Sequence, residues 1–83
     1  MEEKIGKITH YFGKIGVGVI ELSDGQLAVG DTIKVKGGDR EFEQAVNSLQ
    51  IDRAEVSMAN VGQAVGFKVD QPVKEGDEVF KLA

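Results

Sequence analysis

The stretch Leu27-Ala28-Val29-Gly30-Asp31-Thr32-Ile33-Lys34-Val35-Lys36 decides the fold. An apolar residue and two spacers lead into a Gly-Asp pair. An alternating run follows, with Ile33 and Val35 apolar and Lys34 and Lys36 charged. Glycine takes the positive φ of a tight turn without steric cost, and aspartate hydrogen-bonds backbone amides just beyond it. The alternation starts a strand with one buried and one wet face. The same order returns in Val61-Gly62-Gln63-Ala64-Val65, with Gln in the Asp place, and in Glu75-Gly76-Asp77-Glu78-Val79-Phe80. Turn-then-strand is therefore the repeated unit. Its unequal spacings exclude a solenoid.

Outward from that stretch the chain reads as strands and turns. Lys4 to Phe12 is β-branched and aromatic, and predicts strand one; Gly13-Lys14 is a turn. Ile15 to Leu22 predicts strand two. Ile15, Val17 and Val19 share one face, and Gly16 and Gly18 on the other leave room for a close backbone. Ser23-Asp24-Gly25 is a turn, and Gln26 to Val29 a connector with Leu27 pointing in. Asp31 to Lys36 predicts strand three, with Gly37-Gly38-Asp39 as its hairpin turn. Arg40 to Ile51 predicts strand four. Its apolar positions lose the period of two, so it needs a bulge near Asn47-Ser48, and a helix is the rival reading. Ala54 to Ala59 is a short strand or one helical turn, Ala64 to Val69 a strand, and Glu78 to Leu82 the closing strand. About six or seven strands at hairpin spacing predict an all-β domain spanning residues 1–83. A small closed antiparallel β-barrel is the expected form, because closure removes exposed edges.

Composition bounds the function. The chain has 83 residues, one small domain, and no cysteine, which excludes a disulfide framework and a thiolate metal site. No apolar run reaches a membrane span or a signal segment, so a cytoplasmic protein without a membrane partner is expected. The Met1 start and a strand ending at Leu82 lead us to expect a whole protein. Net charge is −4, and all of the excess lies in the second half: residues 1–40 carry six basic and six acidic side chains, residues 41–83 four and eight. Phosphate binding rests on Lys/Arg neutralisation, so an acidic domain is a poor autonomous nucleic-acid binder.

Catalytic signals are absent. No P-loop is present, so GTP binding of its own is not expected, and Gly16-Val17-Gly18 lacks the third glycine of a dinucleotide fingerprint. His10 is the only histidine, and Ser23, Ser48 and Ser57 lack a nucleophile elbow. Turn chemistry explains Asp24, Asp31 and Asp77. No lysine has the flanks of a swinging-arm carrier. The expectation is a protein that is not an enzyme and takes no cofactor or metal.

The order of signals resembles the second domain of translational GTPases such as elongation factor Tu. The quoted pieces are the hairpin Gly13 to Gly18, then Gly25-Gln26-Leu27-Ala28-Val29-Gly30-Asp31-Thr32-Ile33-Lys34-Val35, then Val46-Asn47-Ser48-Leu49. Ala59-Asn60-Val61-Gly62-Gln63-Ala64-Val65-Gly66 and Gly76 to Val79 follow. Within that family the chain most resembles the small stand-alone translation elongation factor-like proteins, and similar barrels are appended to collagenase-like peptidases. The resemblance implies a translation-factor domain-2-like barrel: a non-catalytic binding module contacting RNA, the ribosome or a translation protein. The alternative it implies is an accessory protein-interaction module for an enzyme such as a collagenase-like peptidase. The residues it matches (Gly25, Gly30, Asp31, Gly62, Gly76 and Asp77) are turn residues, and Gln63 departs from the usual acidic one. If an RNA or partner face exists, Lys34, Lys36 and Arg40 are its cations, and Tyr11, with Phe12, its stacking ring. A barrel edge could also pair with another protein.

Overall fold

The computed structural model describes residues 2–38 and 40–82; Asp39 of the expected hairpin turn lies outside them. The described residues form ten strands and no helix: β1 Glu2–Phe12, β2 Val17–Leu22, β3 Leu27–Ala28, β4 Thr32–Gly37, β5 Arg40–Ala45, β6 Leu49–Ile51, β7 Ala54–Val56, β8 Met58–Ala59, β9 Ala64–Lys68 and β10 Glu78–Leu82. Eight of them make one antiparallel sheet in the order β5-β4-β10-β1-β2-β9-β6-β7. β3 and β8 pair separately.

Period-two alternation is what folds this sheet around one core. Ile33 and Val35 on β4, Phe42 on β5, Ile20 and Leu22 on β2, and Phe67 on β9 all turn inward. Burial of each such side chain contributes about 1.5–3 kcal/mol. Strand β1 runs through the middle, with register shifts between Lys4 and Gly6 and between Ile8 and His10. The second shift sits where Ile8 N donates to Asp77 O and Ile8 O accepts from Gly76 N. An extra residue at such a point re-aims the side chains beyond it. Tyr11 is thereby half-buried against the core, while Phe12 is half exposed.

The three Gly-polar repeats fold into the same turn. Asp31 N donates to Ala28 O, Gln63 N to Asn60 O and Asp77 N to Lys74 O, each at 3.1 Å. Gly30, Gly62 and Gly76 sit third in these turns with φ of 100°, 91° and 91°. That is the pattern of a type II turn, whose third residue needs positive φ. The polar side chain reaches back rather than forward: Asp31 accepts from Ala28 N at 2.9 Å, Gln63 from Asn60 N at 2.8 Å, and Asp77 from Lys74 N at 2.9 Å. The longer Gln63 thus does what the aspartates do.

Three expectations need correction. The sheet does not close: among the described residues no ladder joins β5 to β7 or to β9, so the closed barrel is replaced by a curved, open sheet. Across the seam Gln44 Nε2 donates to Lys68 O at 2.8 Å, and Gln44 Oε1 accepts from Asp70 N at 2.8 Å. One amide side chain stands where a strand pairing would. The segment Arg40 to Ile51 is neither one bulged strand nor a helix. Its halves β5 and β6 lie toward opposite edges, and Val46 to Ser48 crosses between them, held by Val46 N to Asp31 O at 2.8 Å and Gly30 N to Val46 O at 2.9 Å. Ala54 to Ala59 forms two strands, β7 and β8, rather than one strand or a helical turn; with β3 and the division of Arg40 to Ile51 into β5 and β6, six or seven strands become ten.

Candidate functional site

The cations expected on an RNA or partner face lie apart from the aromatic ring. Lys34 pairs with Glu2 and, at 3.3 Å, with Glu41; Lys36 lies 3.7 Å from Glu41 and 4.0 Å from Glu2. The Lys36 ammonium also stands 5.4 Å from the centre of the Phe80 ring. The Lys34 hydrogen bond holds the Glu2 carboxyl below the ordinary glutamate range, and the same bond raises the Lys34 ammonium. On the neighbouring strand pair, Lys4 lowers Glu78 in the same way, at 2.8 Å. Arg40 reaches Asp77 at 3.1 Å and donates to Pro72 O at 2.8 Å. These cations are matched by carboxylates. Tyr11 is in register with Gly18 on β2, two strands from β4, and is not part of this group.

Of the turn residues expected from sequence, Gly30, Asp31, Gly62, Gly76 and Asp77 lie in the turns described above, whereas Gly25 follows a bend at Ser23-Asp24 and is not itself in a turn. Gly25 packs its Cα face onto Ile5, where an added Cβ would stand 2.7 Å from Ile5 Cγ2. Asp31 also faces Lys81 at 3.6 Å. Asp77 is buried, accepting from Lys74 N and Arg40, and the Gly37 backbone leaves room for its carboxylate. His10 is an exposed neighbour of Glu75 at 3.7 Å and stacks on Phe12 with ring centres 6.3 Å apart. Among the described residues no three His, Cys, Asp or Glu side chains converge as metal ligands.

A different surface emerges on the outside of β2. Ile15, Val17 and Val19 do share a face, but it is the outer one; Gly18, Ile20 and Leu22 look inward. Ile15 is 63% exposed and Phe12 51%. Cross-strand pairing sets Val19 beside Gly66, and Gly66 beside Gln50. With no side chain on Gly66 the surface sinks there, between Val19 and Gln50. The result is an open apolar trough of about 610 Å³ lined by Phe12, Ile15, Val17, Val19, Ala64 and Gly66. Gln50, Asp52 and Arg53 form its far wall, and a smaller extension of about 170 Å³ runs along Ile15 and Val17 to Ser48 and Lys68. Asp52 and Arg53 are the two central residues of the β6–β7 hairpin, with φ of 52° and 67°. Two positive φ values define a type I′ turn, which favours Asn-Gly; an arginine there is strained.

The sequence reading passed over this trough. Its signal was present: Ile15 to Leu22 is apolar at nearly every position, which marks a strand covered on both faces. Arg53 and Asp52 carried no motif, because their role depends on a hairpin that brings residue 53 beside residue 19.

No protein-family model matches the chain. It is 38% identical, over 95% of its length, to a Methanocaldococcus jannaschii protein described as an uncharacterised protease. It is 28% identical, over 94% of its length, to a Porphyromonas gingivalis protein described as a collagenase. The chain spans only 19% and 22% of these relatives. Among solved structures it matches the C-terminal domain of a Geobacillus thermoleovorans protein described as a U32 peptidase. The TM-score is 0.90 at 21% identity, over 98% of this chain and 93% of that one. The selenomethionine form of that domain matches with a TM-score of 0.87. These findings overturn the likeness to elongation factor Tu and to translation elongation factor-like proteins. The Gly-Asp turns that carried it serve any small sheet built from turn-then-strand units.

Proposed function

We infer that this chain is a non-catalytic accessory domain of a collagenase-like peptidase system, acting through protein contact. The observation that carries the reading is the alignment: nearly the whole chain matches one-fifth of a protease-like relative. On this reading the chemistry belongs to the part of such a protein that this chain does not match. The residues described here supply turns, a core and an apolar outer face, and they bring no acid, base and nucleophile together. An apolar face rimmed by charge is the composition of a protein interface.

The test has two arms. The purified chain is incubated with denatured collagen and with peptide substrates, and the chain isolated from its own cells is examined for what stays bound. The reading requires no hydrolysis by the chain alone, together with a bound or covalently continuous peptidase-type polypeptide. Hydrolysis by the pure chain overturns it, and so does isolation without any peptidase-type polypeptide.

A further inference from the structure

We propose that the trough on the outer face of β2 seats an apolar polypeptide segment of the peptidase body that carries a carboxylate at one end. The proposal rests on the accessory-domain reading and adds the site and the chemistry of its occupant.

Charge placement defines the occupant. Five of the ten cations, Lys4, Lys34, Lys36, Arg40 and Lys81, have carboxylate partners within 4.0 Å. Among the described residues the other five, Lys7, Lys14, Arg53, Lys68 and Lys74, have none; Arg53 and Lys68 line the trough and its extension, and Lys14 adjoins their lining residue Ile15 in sequence. Lys68 lines its smaller end opposite Val17, and Lys14 precedes Ile15 there. Arg53 stands at the other end beside Asp52, with Glu21 next to Ala64 and Glu55 across from Gln50 on the β7 flank. The trough is thus cationic at the Lys14–Lys68 end and mixed elsewhere, on a chain whose net charge is −4. A segment whose carboxylate lies toward Lys14 and Lys68 is complementary; a basic residue there is repelled. Such patterning sets orientation and partner choice more than raw affinity.

The floor argues for protein rather than nucleic acid. Val17, Val19, Ile15 and Ala64 are aliphatic, and the one aromatic ring lining the trough, Phe12, is already stacked on His10. Bases would want free aromatic faces, and phosphates a wall without Asp52.

An array of overlapping peptides covering the M. jannaschii relative outside its matched segment, probed with the full chain, tests this. Binding should concentrate on peptides whose apolar run ends in Asp or Glu. Ile15→Glu and the pair Lys14→Glu/Lys68→Glu should each weaken it at least tenfold, and Val61→Glu, at an exposed site away from the trough, should leave it unchanged. Amide shifts at Val19 and Gly66 on titration with the best peptide should mark the site. No binding, binding indifferent to the Ile15 and lysine variants, or equal binding of basic-ended peptides overturns the proposal. So does displacement of the peptide by single-stranded RNA. A peptidase held through some other face would overturn the trough and leave the accessory-domain reading standing.

Discussion

The side-chain carbonyl of Gln44 accepts a hydrogen bond from the Asp70 backbone amide at 2.8 Å, across a seam where no ladder runs. Its Nε2 donates to Lys68 O at the same distance, and the side chain is buried. Gln44→Leu leaves both backbone groups without partners. These two hydrogen bonds are part-buried, so each orphaned group costs up to about 1–3 kcal/mol. Urea unfolding should show a loss of about 2–5 kcal/mol with little change in slope. A midpoint equal to that of the parent would mean that packing alone holds the seam. Gln44→Glu keeps the acceptor for Asp70 and loses the donor for Lys68. Burial raises its carboxyl pKa in the folded state, and the protonated form donates again. That variant should be most stable in acid and should lose stability as pH rises through the raised value.

Gly37 and Asp77 give a second test. A Cβ on Gly37 would fall on the Asp77 carboxylate, which holds the Lys74 amide and the Arg40 guanidinium. Gly37→Ala should cost about 2–4 kcal/mol, because the carboxylate must leave two donors. In an Asp77→Ala background the same change should cost far less. Thermal melts of the four proteins complete the cycle, and additive losses would show that the two residues do not meet.

The exposed pairs predict a weak acid response. Glu2 and Glu78 have pKa values lowered from the ordinary 4.5 by hydrogen bonds from Lys34 and Lys4. A carboxylate depressed in the folded state contributes stability above its unfolded pKa and loses it as pH falls through the folded one. Melting temperature should therefore decline below about pH 4.5, and less so in 1 M salt, where exposed charges are screened. Lys34 and Lys4 are raised from 10.5, so their contribution is present below that value and fades above it. The double change Lys34→Glu/Lys36→Glu sets four carboxylates together and should lower the melting temperature at pH 7 even without any ligand. A melt unaffected by salt and pH would remove these pairs from the account.

Arg53 trades stability for position. A left-handed backbone costs a non-glycine residue about 1–2 kcal/mol, and glycine's extra unfolded-state freedom returns about 0.4–1 of it. Arg53→Gly should therefore stabilise the domain by up to about 1 kcal/mol in urea while weakening peptide binding at the trough. Stabilisation with full binding would show that the strained arginine is incidental.

Much of the sheet was legible because period two is written plainly wherever one face is wet. Ile33-Lys34-Val35-Lys36 and Ala64 to Lys68 gave their faces and bounds nearly to the residue. Failure came where distance in sequence decides. Phe42 to Ile51 lost its period because the chain leaves one part of the sheet at Val46 and joins another at Leu49, and no local signal distinguishes that crossover from a bulge. Closure was misjudged for a similar reason: whether β5 reaches β9 depends on residues 24 positions apart in sequence, and the contact is one glutamine side chain. The docking face was hidden because Ile15, Val17 and Val19 look like core until the sheet's inner side is known.

The pairing of β1 with β10 places Glu2 beside Leu82, and Phe12 stands at the other end of β1. Ten residues at about 3.3 Å each put these points roughly 33 Å apart, the full 32 Å breadth of the domain. Any polypeptide joined at either terminus is tethered at the corner remote from the Phe12–Lys68 end of the trough. To place the carboxylate end of one of its own segments at Lys14 and Lys68, it must send about ten extended residues along the flank or be broad enough to reach across. Linker length, rather than the strength of the trough alone, would then set the effective concentration of an intramolecular partner, and shortening the linker below that span would abolish self-docking while leaving docking in trans intact.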